Sequence, residues 1–166
     1  DEVFITSDEI VRFSTREVDF IKKCALQNYR GRARICAHKK PTDTLHEMLI
    51  GIRSDSYIRP HKHKNKVESF HLVEGVADIV ILNENGEISD IIELGPDRNF
   101  YYRLEMPSYH TVLIKSPILV IHETTNGPFD PSQYNFASFS PPEGDPAVND
   151  YLEQLKLKLK TWKKNR

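Results

Sequence analysis

The chain has 166 residues, the size of one domain, and its 39% hydrophobic, 28% charged and 10% aromatic residues exclude a disordered tail or a fibre. Lys and Arg total 23 against 24 Asp and Glu, a net charge of −1 that argues against nucleic acid as a partner. No apolar run approaches the roughly 18 residues of a spanning helix, and Asp1-Glu2-Val3-Phe4 is not a basic stretch leading into an apolar one, so a soluble, cytoplasmic protein with no membrane partner is expected.

The first predicted element is a helix. Ser14-Thr15-Arg16-Glu17 reads as a capping box, Val18, Ile21 and Ala25 follow helical spacing, and Gly31 is placed to close the helix in a left-handed conformation. The signal then changes to short apolar runs at spacings of roughly 8–12 residues, which argues for a β-sandwich or barrel and against βαβ units. Strands are predicted over 33–37, 46–53, 57–63, 67–73, 76–82, 87–94, 100–104, 110–115 and 118–124. Glu74-Gly75, Asn83-Glu84-Asn85-Gly86 and Gly95-Pro96 punctuate them as turns. Residues 126–146 hold five of the ten prolines and read as an irregular connector. Val148, Leu152, Leu155, Leu159 and Trp162 then form one apolar stripe of a last helix. Five Lys and one Arg crowd residues 156–166, leaving an acidic body of 17 basic against 24 acidic groups; this basic run complements the helix dipole, and its lysines are expected to face water. The chain thus divides into a helical segment (1–31), a strand-rich body (32–125) and a connector with its helix (126–166), within a single domain. Cys24 and Cys36 lack CxxC spacing and read as buried thiols.

Chemistry concentrates in Pro60-His61-Lys62-His63-Lys64-Asn65-Lys66-Val67-Glu68. Side chains two apart on a strand share a face, so His61 and His63 present two imidazoles to one side. A turn after His63 could fold the Glu68 carboxylate over them. His110, at the mouth of the apolar strand Thr111-Val112-Leu113-Ile114, is the best further donor. By itself HKHK could be merely a basic exposed turn.

The string HxHx4Ex6G from His61 to Gly75, followed by PxxH from Pro107 to His110, resembles the paired motifs of the cupin superfamily. Ser108 and Tyr109 stand where the second motif usually carries a Gly. Arg32-Ala33-Arg34-Ile35-Cys36, His46-Glu47-Met48-Leu49-Ile50, Tyr57-Ile58-Arg59-Pro60-His61, Glu68-Ser69-Phe70-His71, Tyr101-Tyr102-Arg103 and His122-Glu123-Thr124-Thr125-Asn126-Gly127-Pro128-Phe129 are similar to the WbuC-type cupin-fold metalloproteins. The resemblance implies an all-β cupin jelly roll, a double-stranded β-helix, with the N- and C-terminal α-helices packed outside. It implies a metal bound by His61, His63, Glu68 and His110, and a homodimer. Three imidazoles and one carboxylate suit one divalent ion of Zn, Fe, Mn, Ni or Co, and four ligands on an octahedral ion leave two positions open. The expected function is a metal-dependent enzyme acting on a small oxygen-rich substrate. By resemblance alone this is a sugar or sugar nucleotide of O-antigen or surface polysaccharide biosynthesis, in an isomerase- or epimerase-like step. A ferrous dioxygenase and a non-catalytic small-molecule binding or sensing module are the alternatives.

No catalytic residue is assigned. If the strand before His61 is regular, Arg59 and Tyr57 share the metal-facing side, and Arg59 either anchors an anionic substrate group or pairs with an acidic neighbour. Tyr102 lies on one face of its strand and Tyr101 with Arg103 on the other; one set meets the cavity, so Tyr102 and Arg103 both stand as substrate-binding candidates. His71 should face away from Glu68, His38 should be exposed, and His46 and His122 read as structural. Glu47 and Glu123 could be pocket residues by resemblance, their facing not fixed by parity.

Overall fold

The structure is a computed structural model that describes residues 1–165. In chain order it contains β1 (Val3–Ile5), α1 (Thr15–Gln27), β2 (Arg32–Cys36), β3 (Leu45–Arg53), β4 (His61–His63), β5 (Glu68–Glu74), β6 (Ala77–Leu82) and β7 (Ile88–Leu94). Then follow β8 (Tyr101–Leu104), β9 (Tyr109–Ile114), β10 (Ile118–Asn126), a short 3-10 turn (Pro131–Gln133), β11 (Tyr134–Phe136) and α2 (Val148–Lys164). The strands form a six-stranded sheet, β1-β2-β3-β10-β5-β8, and a five-stranded sheet, β11-β4-β9-β6-β7. The protein is thus mostly β, two sheets with two helices.

Strand alternation explains the layers. In β6 all six residues are buried. Ala77, Ile79 and Ile81 point between the sheets and join Ile52, Phe70, Val112, Leu119 and Ile121 in the main core. Val80 and Leu82 point the other way and need a cover. They receive it from Leu155 and Leu159 of α2. On the opposite side of the molecule, Leu49 of β3 and Val120 of β10 meet Ile21 and Ala25 of α1, both fully buried. Each buried Ile or Leu of these seams contributes about 1.5–3 kcal/mol relative to exposure, so tertiary burial and not helix propensity holds both helices in place. The apolar stripe of α2 is sunk at Leu155 and Leu159, with Val148, Leu152 and Trp162 half-buried.

The Ser14 capping box is present: the Glu17 carboxylate accepts from the Ser14 N–H at 2.8 Å, and Ser14 Oγ accepts from Arg16 N–H at 3.3 Å. Gly31 does not close α1, which ends at Gln27. Its left-handed backbone (φ +69°) instead closes the following turn, donating its N–H to the Asn28 carbonyl at 3.0 Å. Gly75 is obligatory: its φ is +102°, and a Cβ there would lie 2.6 Å from the Ile118 carbonyl oxygen.

Two strands lie in segments read from sequence as non-strand. β1 pairs in parallel with β2, and β11, inside the proline-rich connector, pairs antiparallel with β4. Each is three residues long and has no periodicity to detect. The expected strand over 57–63 is shorter, beginning only at His61. Nor do all the C-terminal lysines face water. Lys163 reaches the fully buried Asp78 at 3.0 Å and touches Glu93, while Lys115 holds the other Asp78 oxygen at 2.7 Å. No described helix is long and apolar enough to cross a membrane.

Candidate metal centre

β4 and β9 are antiparallel neighbours, and their register sets His61 directly opposite His110. The two rings stand 4.5 Å apart, with His63 two residues along the same face and 4.9 Å from His61. Residues 64–67 then cross to the other sheet, where Glu68 opens β5. Thr125 and Asn126 fasten this crossing: Thr125 Oγ1 donates to the Val67 carbonyl at 2.9 Å, and Asn126 Oδ1 accepts from the Val67 N–H at 2.7 Å. The carboxylate consequently faces the imidazoles across the intersheet space. One donor atom from each of His61, His63, Glu68 and His110 lies within 4.8 Å of all the others. The two motifs thus meet at one point.

The donor set suits a divalent ion. His61 Nδ1 donates to the Arg59 carbonyl at 2.9 Å and His110 Nδ1 to the Ser108 carbonyl at 3.0 Å, since a carbonyl can only accept. In a neutral ring this leaves the Nε2 lone pair free, the second-layer arrangement typical of metal-binding histidines. His63 Nδ1 is buried without any hydrogen-bond partner, a costly state for a polar atom that an added partner would relieve, and His110 Nε2 meets only the Glu68 carboxylate, at 3.3 Å. Burial, then the charge of neighbouring His110, push His61 down to about 4, so its imidazole is neutral at physiological pH. Burial alone would raise Glu68, but the adjoining His110 and His63 outweigh it and hold the carboxyl well below the usual range. Burial likewise works to lower His110, and Glu68, 3.3 Å from its Nε2, raises it on balance.

The other candidates separate by parity. Tyr102 is the inward residue of its strand, buried, and its hydroxyl donates to Glu68 Oε1 at 2.9 Å. Burial first, and then the negative Glu68, raise its pKa well above the ordinary tyrosine value, so it remains a donor. Arg103, on the opposite face, is exposed and bonded to Glu105. Arg59 and Tyr57 do not share the metal-facing side, because the chain before His61 is not a regular strand. The Arg59 guanidinium reaches the Ser140 carbonyl at 3.1 Å and the Ala137 carbonyl at 3.2 Å, and lies 5.0 Å from the centre of the Phe136 ring. Tyr57 is buried toward α2, donating its hydroxyl to the Pro141 carbonyl at 3.0 Å. Neither lines the cavity around the four donors.

That cavity has a volume of about 670 Å3. Its inner wall is apolar, with Met48, Ile50, Ile52, Ile58, Val112 and Ile121. Sequence reasoning left open or did not single out three of its polar residues. Glu123 lies two positions after inward-facing Ile121 on β10, so parity from a core isoleucine could have found it. Burial, then the negative Glu68, push Glu123 up to about 8. Lys66, in the crossing between the sheets, is only 8% exposed; burial lowers its pKa. Tyr134 stands 4.5 Å from the His63 ring, and burial pushes its hydroxyl up to about 12. No sequence signal marks Lys66 or Tyr134.

The remaining histidines stand apart from the four donors. His71 is exposed against Phe100 and Tyr101. His38 is half-buried and not exposed, because its ring stacks on buried His46 at 4.0 Å and 3°. His122 turns outward toward Phe13.

A family model described as a domain of unknown function (DUF6016) matches residues 13–94, which include His61, His63 and Glu68 and stop short of His110. No curated protein matches the chain. Among solved structures, the chain is similar to protein SO0799 from Shewanella oneidensis, at 14% identity and a TM-score of 0.57, covering 74% of this chain and 83% of that one. It is also similar to the capsular polysaccharide assembling protein CapF from Staphylococcus aureus, at 20% identity and a TM-score of 0.54. That likeness covers 66% of this chain but only 30% of the CapF chain. The structural neighbours include cupin-fold proteins. At such identities the kinship is one of fold.

Proposed function

We propose that the protein is a metal-dependent enzyme that works on a small, oxygen-bearing molecule inside the intersheet cavity. The observation that carries this reading is the convergence of His61, His63, Glu68 and His110 within 4.8 Å at the cavity wall. The donor set fits one divalent ion of Zn, Fe, Mn, Ni or Co. A bound ion would polarise a carbonyl or hydroxyl oxygen of the substrate. The chain's own residues supply the rest. Tyr102 orients the Glu68 carboxylate through its hydroxyl. Glu123, carrying a proton near neutral pH, is the acid or base placed in the cavity to exchange that proton with the substrate. The apolar wall keeps bulk water from competing.

On this reading the two sheets are the halves of a cupin jelly roll, and the motif strings support kinship with the WbuC-type metalloproteins. An isomerase- or epimerase-like step on a sugar of polysaccharide biosynthesis draws support from the likeness to CapF. The apolar inner wall, however, offers few hydrogen-bond partners to a ring of hydroxyls. The same wall favours the second reading, a ferrous dioxygenase using the same four ligands. Oxygen consumption by the iron-loaded protein in the presence of an oxidisable substrate distinguishes the two.

Titration of the chelator-stripped chain with each metal, read by calorimetry and elemental analysis, tests the centre. One ion per chain is expected, with loss of binding in His61→Ala and His110→Ala and an unchanged far-UV spectrum. Metal binding indifferent to both substitutions would dismiss the site. Collapse of the fold in both would recast the ion as structural.

A further inference from the structure

Lys66 is a buried ammonium with no direct ion-pair partner among the described residues; Glu123, Glu68 and Asp130 act on it only from a distance. Its side chain lines the cavity, yet no carboxylate among the described residues lies within ion-pair distance of it. Its Nζ rests over two aromatic faces, 5.1 Å from the centre of Tyr134 and 5.7 Å from that of Phe129. Such faces compensate only part of the cost of removing an ammonium from water. Arg34, exposed at the same cavity, is the second cation; its guanidinium makes no hydrogen bond or ion pair among the described residues. The neighbouring arginines differ. Arg30 and Arg32 also line the cavity but are committed to Glu2 and Glu143 at 2.8–3.5 Å. Two cations without a direct ion pair among the described residues, both felt by Glu123, therefore face a cavity whose inner wall is apolar.

We propose that Lys66 and Arg34 form an anion subsite in this cavity, separate from the metal donors, and that it takes a monoanionic carboxylate carrying an apolar body. Three features select that class. The planar guanidinium fork matches a carboxylate with two parallel hydrogen bonds, and the ammonium adds a point charge. The Glu68 carboxylate shares the cavity, so a dianion such as a phosphate monoester would meet more repulsion than a singly charged group. Ile50, Ile52, Val112 and Ile121 offer the body of the ligand dispersion contacts and no hydrogen bonds. The inference rests on the cavity being the substrate site, and it names the substrate class.

Calorimetric titration of the full chain with benzoate, cyclohexanecarboxylate, inorganic phosphate and glucose tests it, on chelator-stripped and on zinc-loaded protein. Both carboxylates should bind one per chain in either state, more tightly than phosphate or glucose. Lys66→Met should weaken benzoate about tenfold or more, Arg34→Met by a smaller factor, and Lys66→Arg should retain most of the affinity. Far-UV spectra and zinc stoichiometry should be unchanged in all three, which separates loss of the subsite from loss of the fold. Absence of benzoate binding, binding indifferent to Lys66→Met, or tighter binding of phosphate would each overturn the proposal. If zinc fails to bind while benzoate still depends on Lys66, the metal centre falls and the anion subsite stands.

Discussion

At the scale of single residues, the centre depends on groups that orient donors as much as on the donors. Glu68 sits among imidazoles, and its Oε1 is held by the Tyr102 hydroxyl at 2.9 Å. Tyr102→Phe removes that hydrogen bond with almost no change in volume. Metal affinity should fall by about tenfold, the usual consequence of losing a ligand's supporting hydrogen bond, while the melting temperature of the metal-free protein changes little. Competition against a chromogenic chelator reads the first and a thermal melt the second. Unchanged affinity would mean that Glu68 is positioned by backbone alone. Two-residue parity explains how much of this could be read ahead. It puts His61 and His63 on one side and Glu68, Phe70 and Leu72 on another shared face. Extended from Ile121, it reaches Glu123. Parity has nothing to say about Lys66, which lies in an irregular crossing, and it misplaces Arg59, because the chain before His61 is not a regular strand.

At the scale of elements, local chemistry decides where helices begin and tertiary partners decide where short strands exist. The Ser14 box is local. Ser14→Ala should lower the melting temperature by about 2–4 °C, as expected for loss of one cap in a chain of this size. Hydrogen bonds from Ser14 hold the Glu17 carboxyl below its ordinary value, so its contribution is present above that value and is lost as pH falls through the depressed one. The gap between wild type and variant should accordingly narrow in acid; a gap independent of pH would show that the Glu17 half of the box is idle. β1 and β11 are the opposite case. Three residues carry no readable alternation, and each strand forms only because β2 or β4 presents an open edge.

At the scale of the molecule, α2 is fastened by a buried charge as well as by Leu155 and Leu159. Asp78 is fully buried, with Lys115 at one oxygen and Lys163 at the other. The two lysines are themselves partly exposed, so losing one alone should cost only about 1 kcal/mol. Replacing both by Met leaves the carboxylate buried and unpaired, and urea unfolding should then show a loss of about 3 kcal/mol or more, with earlier proteolysis of the last helix. Equal, small effects from single and double variants would show that water reaches Asp78. The basic C-terminal run, a solvated helix end by composition, thus contains one residue that works at long range.

Periodicity and turn residues determined by themselves the two helices, nine of the strands and the sandwich-or-barrel class, and motif spacing singled out His61, His63, Glu68 and His110 as candidate donors. Which donors converge, which tyrosine meets the carboxylate, and that a lysine of the crossing ends up buried beside the cavity were decided by tertiary structure. The register of β4 against β9 joins positions far apart in the chain, and no local pattern encodes the path by which residues 64–67 pass from one sheet to the other.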